Sequence, residues 1–297
     1  MGANNDHIRV HSRVFADSFA FLHLCVKKSS TSRWYTTLMN PETFPVSQPA
    51  PRRTLPGVRW TAGDLLLVAA VTVLLGAGVL LLLRLLGLLG LTALQDFVRQ
   101  RPLVGGMLAG GALYGLAVLA VYLVVVRRGR GSWAELGFRP PPLLAMLLTP
   151  LVFPLQLALA GLANLAMQRI AGPFENPQID ALIDPAGFSW LNYVFVFAVA
   201  AIIAPLVEEL VFRGLLYQWL RARLGIAAAV LLSAAIFSVV HVIPLLFPAL
   251  FLIGVVLALA FELGRSLWAS IALHFFQNAL TVSLIFFIQA NPQLVLS

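Results

Sequence analysis

From Asp64 onward the chain is a succession of apolar runs, each long enough to cross a lipid bilayer. An α-helix rises 1.5 Å per residue, so about 20 apolar residues cover the roughly 30 Å of hydrocarbon. Seven such runs can be marked: 64–83 with a continuation toward 94, 102–126, 143–168, 190–220, 225–243, 245–263 and 266–289. No water reaches that depth. Backbone N–H and C=O groups must therefore pair within their own segment, which selects helices over open strands. The expected fold is all-α: a polytopic transmembrane helical bundle of about seven to eight spans. Composition agrees, because 11% charged residues is less than half the share of about 25% found in soluble domains.

The net charge of +8 does not point to nucleic acid. Its basic residues sit in short clusters between apolar runs: Lys27 and Lys28, Arg52 and Arg53, Arg127 with Arg128 and Arg130, Arg221 with Arg223. Such clusters mark cytoplasmic membrane loops, whereas a nucleic-acid surface needs a continuous basic stripe. Seven spans place the N-terminus, the loop 127–142 and the turns near 221–224 and 264 on the cytoplasmic side. The loop 169–189, with Glu175, Asp180 and Asp184, falls outside. Arg99 and Arg101 in the loop 95–101 are the poor fit to this topology. The location expected is a cell membrane, crossed many times, with a bacterial inner membrane the best match to the Ala- and Leu-rich composition.

Residues 1–60 read as a cytoplasmic, disordered tail, polar and rich in Pro between 40 and 57. The stretch 15–26 is interrupted by Asp17 and His23 and does not resemble a secretory signal. Met39 precedes a segment that reads as an ordinary tail before a first span. A lone cysteine, Cys25, permits neither an internal disulfide nor a Cys-based zinc site.

Charge inside a span costs about 2.5–3.5 kcal/mol per residue on insertion scales and therefore marks a functional candidate. Three spans carry such groups. In the first, Glu208 and Glu209 are adjacent and point about 100° apart on a helix. Arg213 lies four residues after Glu209 on the same face, so an ion pair between them is permitted. A packing salt bridge explains Glu209 and Arg213 but leaves Glu208 over, which suits a general base or acid. In the second span, Phe237 and His241 share a face. In the third, His274 and Asn278 are four apart and both can donate hydrogen bonds. Counted from the helix ends at 1.5 Å per residue, all of these can meet near the middle of the bilayer.

The three stretches EELVFR (208–213), FSVVH (237–241) and HFFQN (274–278) resemble, in order and spacing, the EExxxR, FxxxH and HxxxN motifs of the CPBP family. That family groups CAAX-protease and bacteriocin-processing membrane proteins, also called Abi or type II CAAX prenyl endopeptidase-like. The stretch SWAELGFRP (132–140) is similar to a loop that precedes the core in bacterial members. The resemblance covers about 130–290 and implies residues 131–297 as a CPBP-type catalytic membrane core, with 61–130 forming the first two transmembrane helices.

The resemblance implies an intramembrane endopeptidase in which Glu208 and His241 activate a water, His274 and Asn278 stabilise the oxyanion, and Glu209, Arg213 and Phe237 support the site. Glu208, His241 and His274 would also make a three-ligand zinc set, which leaves both a zinc site and a metal-free glutamate mechanism open, the latter slightly favoured. The partners implied are the bilayer and a membrane-embedded or lipid-anchored peptide or protein substrate, with no nucleic acid. The other readings are a transporter or proton relay, since buried Glu and His also line ion paths, and a non-catalytic membrane protein of the bacteriocin-immunity type.

Overall fold

A computed structural model describes residues 57–174, 176–184 and 187–296. The tail expectations for residues 1–56, and Glu175, lie outside the described residues. Among the described residues the secondary structure is helical and no strand occurs. Six helices are long and apolar enough to cross a membrane.

Helix α1 is Ala62–Leu88, longer than the run ending at 83 and short of 94, because the chain turns at Gly90 with φ of 81°. Thr61 and Asp64 cap its first turn reciprocally, and Arg128 and Arg130 approach the Asp64 carboxylate at 3.7 and 3.3 Å. Helix α2, Ala93–Gln100, is a short amphipathic piece in the loop where the sequence suggested none. Asp96 lies 3.9 Å from Arg99 on it, and the Arg101 guanidinium lies over Phe97. Helix α3 is Pro102–Val126 and helix α4 is Leu143–Ala171. The leucines these helices turn outward, such as Leu74, Leu80, Leu151 and Leu162, form the apolar surface a bilayer would cover.

The fourth membrane-length stretch, Trp190–Val239, has 50 residues. A straight helix of that length would measure about 75 Å, more than twice the hydrocarbon thickness. It is divided at Gly225, whose φ of 80° and ψ of 178° need a residue without a Cβ. Helix α5 is thus 190–224 and helix α6 is 226–239, so seven helical runs correspond to the seven apolar ones. Helix α6 covers only about 21 Å and stops short of a full crossing. After it, Val242 takes φ of 58° and a single 3-10 turn, Pro244–Leu246, leads into helix α7, Phe247–Gly264. Helix α8 is Leu267–Ala290. A backbone break at membrane depth is tolerated where it lines a cavity, and His241 and Leu246 do line one.

Helices α6 and α7 cross closely at Gly254. A Cβ there would stand 2.9 Å from the Ala234 Cα, and that backbone cannot swing aside as a long side chain would. Gly254→Ala is expected to force the helices apart at a cost of about 1–3 kcal/mol. The thermal midpoint in detergent should fall, while Gly78→Ala, where nothing lies within 4 Å, should leave it unchanged.

The end of the bundle that holds Arg127, Arg221 and Arg265 is closed by packing. Trp60 is buried among Val121, Val125, Leu136 and Leu215, and its indole N–H donates to the Leu215 carbonyl at 3.1 Å. The segment 132–140 straps this end. The Leu267 N–H donates to the Gly137 carbonyl at 2.9 Å, the Ser266 hydroxyl to the Arg139 carbonyl at 2.6 Å, and the Gln218 amide to the Glu135 carbonyl at 3.1 Å. Burial pushes the Glu135 carboxyl up, but bonds from the Ser132 amide and hydroxyl and from Arg59 outweigh it and hold the group below the usual glutamate range. Nearby, Glu262 accepts from the Tyr217 hydroxyl at 2.9 Å and from both sides of the Arg221 fork at 2.6 and 2.8 Å.

Candidate active site

Helix α5 carries the paired glutamates between two widened stretches, Phe197–Ile203 and Leu210–Tyr217. In the first, the Ala204 N–H reaches the Val199 carbonyl five residues back, one more than in a regular α-helix. Such widened turns recur at functional sites because each fits an extra residue into the helix and re-aims its neighbours.

Glu209 and Arg213 are both fully buried and pair at 2.8 Å. Two buried charges are costly to desolvate unless further bonds satisfy them. The Arg213 Nη2 group donates to the Gly254 carbonyl at 3.0 Å, and its guanidinium lies over the Phe237 ring, 4.7 Å from the centroid. The same Glu209 oxygen receives His274 Nδ1 at 2.9 Å. An ionised carboxylate can only accept, so Nδ1 carries the proton and Nε2 is turned elsewhere. That Nε2 lies 3.8 Å from Glu208 Oε2.

Glu208 faces away from Arg213 but is not unpartnered, as adjacency alone suggested. Its Oε1 accepts a hydrogen bond from the Tyr114 hydroxyl at 2.6 Å. His241 holds its Nδ1 against the Phe237 carbonyl at 2.6 Å. A carbonyl also only accepts, so Nδ1 is the protonated nitrogen and the ring's lone pair is on Nε2. Phe237 separates the two imidazoles, with ring centroids 4.8 Å from His241 and 5.8 Å from His274. Asn278 donates one amide hydrogen to the Ala200 carbonyl at 2.9 Å, which leaves its second hydrogen for another acceptor.

Glu208, His241, His274 and Asn278 line one cavity of about 560 Å³, together with Tyr114 and Phe237. Glu209 and Arg213 lie behind it, holding His274 and the α7 backbone. The zinc set suggested for Glu208, His241 and His274 is not assembled. Among the described residues no three His, Cys, Asp or Glu side chains stand close enough to hold a metal ion, and His274 already gives one nitrogen to Glu209.

Tyr114 is the site residue the sequence reading passed over. It lies 94 positions from Glu208, on a helix assigned to the segment ahead of the core. A signal was present: a phenol in the middle of a span, set in the run GGALYG, places a polar group where lipid offers no partner. Asn164 on α4 and Gln277 on α8 also line the cavity and carried no motif.

A family model described as type II CAAX prenyl endopeptidase Rce1-like matches residues 190–280. No curated protein and no solved structure matches the chain. The matched stretch runs from the start of α5 to beyond Asn278 and contains all three motifs. With its glutamate pair, two histidines and asparagine gathered on one cavity, the segment 190–280 is of the Rce1-like CAAX endopeptidase type, consistent with the CPBP family that its motifs resemble.

Proposed function

We propose that the protein is an intramembrane endopeptidase that hydrolyses a peptide bond of a membrane-embedded or lipid-anchored substrate by attack of water. One observation carries the reading: Glu208, His241, His274 and Asn278, from three helical segments, converge on a single cavity between helices. A transporter path would need polar groups continuing to both ends of the bundle. Here the end with Arg221 and Arg265 is packed shut.

Water between Glu208 and the lone pair of His241 Nε2 gives up a proton as its oxygen attacks the scissile carbonyl. The C–O bond forms and the carbonyl electrons move onto oxygen. His274, protonated on Nε2, and the second Asn278 hydrogen donate to that oxyanion. When the C–N bond breaks, the proton taken from water passes to the leaving amine. Glu209 and Arg213 act through His274 by fixing its ring, and no metal takes part in these steps. The protein sits in a cell membrane with its N-terminal tail in the cytoplasm.

Tyr114 positions Glu208 rather than touching substrate. Tyr114→Phe keeps the ring and removes the one hydrogen bond. The expected result is a fall in kcat of about tenfold, the worth of roughly 1.4 kcal/mol, with KM nearly unchanged. Tyr122→Phe, an outward-facing tyrosine near the end of the same helix, should change neither. The endopeptidase reading itself is tested by comparing the membrane proteomes of cells carrying the wild type and Glu208→Ala. Peptides or shortened proteins present only with the wild type support it, and identical proteomes count against it.

A further inference from the structure

The cavity opens toward one end of the bundle only, and that end is the one opposite the arginine clusters. On α3, which runs from Pro102 toward Arg127, the lining residues are Met107, Gly110 and Tyr114, all on the half away from Arg127. On α4, which begins near Arg139, they are Ala160 and Asn164, again the far half. On α5 the lining runs from Val199 to Glu208, on α7 from Ala249 to Ile253, and on α8 from His274 to Val282. The rim is completed by Asn176, Ile179 and Leu182, in the connection between α4 and α5. His274 and Glu208 form the floor. Beneath them, toward the arginines, lie the Glu209–Arg213 pair, the Tyr217–Glu262–Arg221 cluster and the strap 132–140.

Arginine distribution gives this axis a direction. Arg59, Arg127, Arg128, Arg130, Arg139, Arg221, Arg223 and Arg265 lie at the closed end, and Arg84, Arg99, Arg101 and Arg169 at the open one. Short basic loops are retained in the cytoplasm during insertion. Of the open-end arginines, Arg99 is paired with Asp96 on the amphipathic α2, whose polar face suits the plane of an interface rather than a crossing loop. The rim itself carries Asp180 and Asp184 and, among its described residues 176–184, no Lys or Arg.

We infer that the site is entered from the non-cytoplasmic face, so that the bond cut belongs to an exported or membrane-anchored peptide segment presented at the outer leaflet rather than to a cytoplasmic chain. This deepens the endopeptidase reading and rests on it for the word substrate. The side of entry stands on geometry and charge alone. The rim is apolar over Ile179 and Leu182, which pack with Leu103 and Phe286, and polar over Asn176 and Asn164. An extended segment leaving the outer leaflet thus meets an apolar wall first and amide groups next, before reaching Glu208 and His274.

The test uses the full chain with Cys25→Ser as background. Single cysteines are placed at the rim (Ala181→Cys), inside the cavity (Thr281→Cys) and in the turn between Arg221 and Arg223 (Ala222→Cys). A membrane-impermeant maleimide is applied to right-side-out and to inside-out vesicles. The rim and cavity cysteines are expected to react at least tenfold faster in right-side-out vesicles, and the cysteine at 222 at least tenfold faster in inside-out ones. Reaction of the cysteine at 281 from the same side as that at 222 overturns the inference. So does reaction of the rim cysteine only in inside-out vesicles, because the whole bundle is then inverted. Labelling needs no catalysis, so a failure here is separate from a failure of the Glu208→Ala proteome comparison.

Discussion

Glu208→Gln should lower kcat by about 10²–10⁴-fold, the range lost with a general acid–base group, while the purified protein melts at the wild-type temperature. The amide keeps the size of the carboxylate, and its oxygen still accepts from the Tyr114 hydroxyl, 2.6 Å away in the native site. What it loses is the capacity to take a proton from water. Glu208 is also half-buried at the cavity wall rather than in the packed core, so little stability is at stake. A cleavage assay on detergent-solubilised enzyme, run beside a melting curve, reads both quantities. Full activity in the variant would remove the glutamate from the chemistry. Loss of activity with a collapsed melt would mean only that the fold had failed.

The second large effect is expected at Arg213 and runs the other way, through stability first. Arg213→Met removes a fully buried cation and leaves Glu209 as a buried anion facing only His274. Breaking one side of such a pair costs about 3–5 kcal/mol, because the remaining charge is uncompensated. The Gly254 carbonyl also loses its donor, and the Phe237 ring loses the guanidinium above it. Arg213→Met combined with Glu209→Gln should melt well above Arg213→Met alone, since no lone charge is then buried. Activity should stay low in the double variant, because His274 has lost the ionised carboxylate that fixes its Nδ1 proton. A double variant no more stable than the single one would show that the charge balance is not what Arg213 supplies.

The spans were legible because lipid admits one backbone solution. Their number is unclear only at Gly225, where α5 and α6 follow without a loop. The boundaries were less legible: α1 ends at Leu88 because of a glycine turn, and α6 stops at Val239 although apolar residues continue. Hydrophobicity reports what may sit in lipid and not where the backbone breaks. At the site, the motif spacing foresaw that Glu209 and Arg213 can pair and that Phe237 and His241 share a face, because both are relations within one helix. Contacts between helices were illegible. Nothing in HFFQN says that His274 Nδ1 meets Glu209, and nothing in EELVFR says that Glu208 meets a tyrosine 94 positions earlier. Such contacts depend on how helices pack, and one sequence carries no record of that.

The two widened stretches of α5 also bear on how this protein can change over evolutionary time. Each inserts a residue, so the helix before 197, the glutamates at 208 and 209, and the helix after 217 are set in three different rotational phases. Removing one residue from either stretch would turn everything beyond it by about 100°, swinging the acids off the cavity or Tyr217 and Arg221 off Glu262. Insertions and deletions are therefore tolerable in the exposed turn at 127–129 and ruinous between 197 and 217, where point substitution is the only route left to drift.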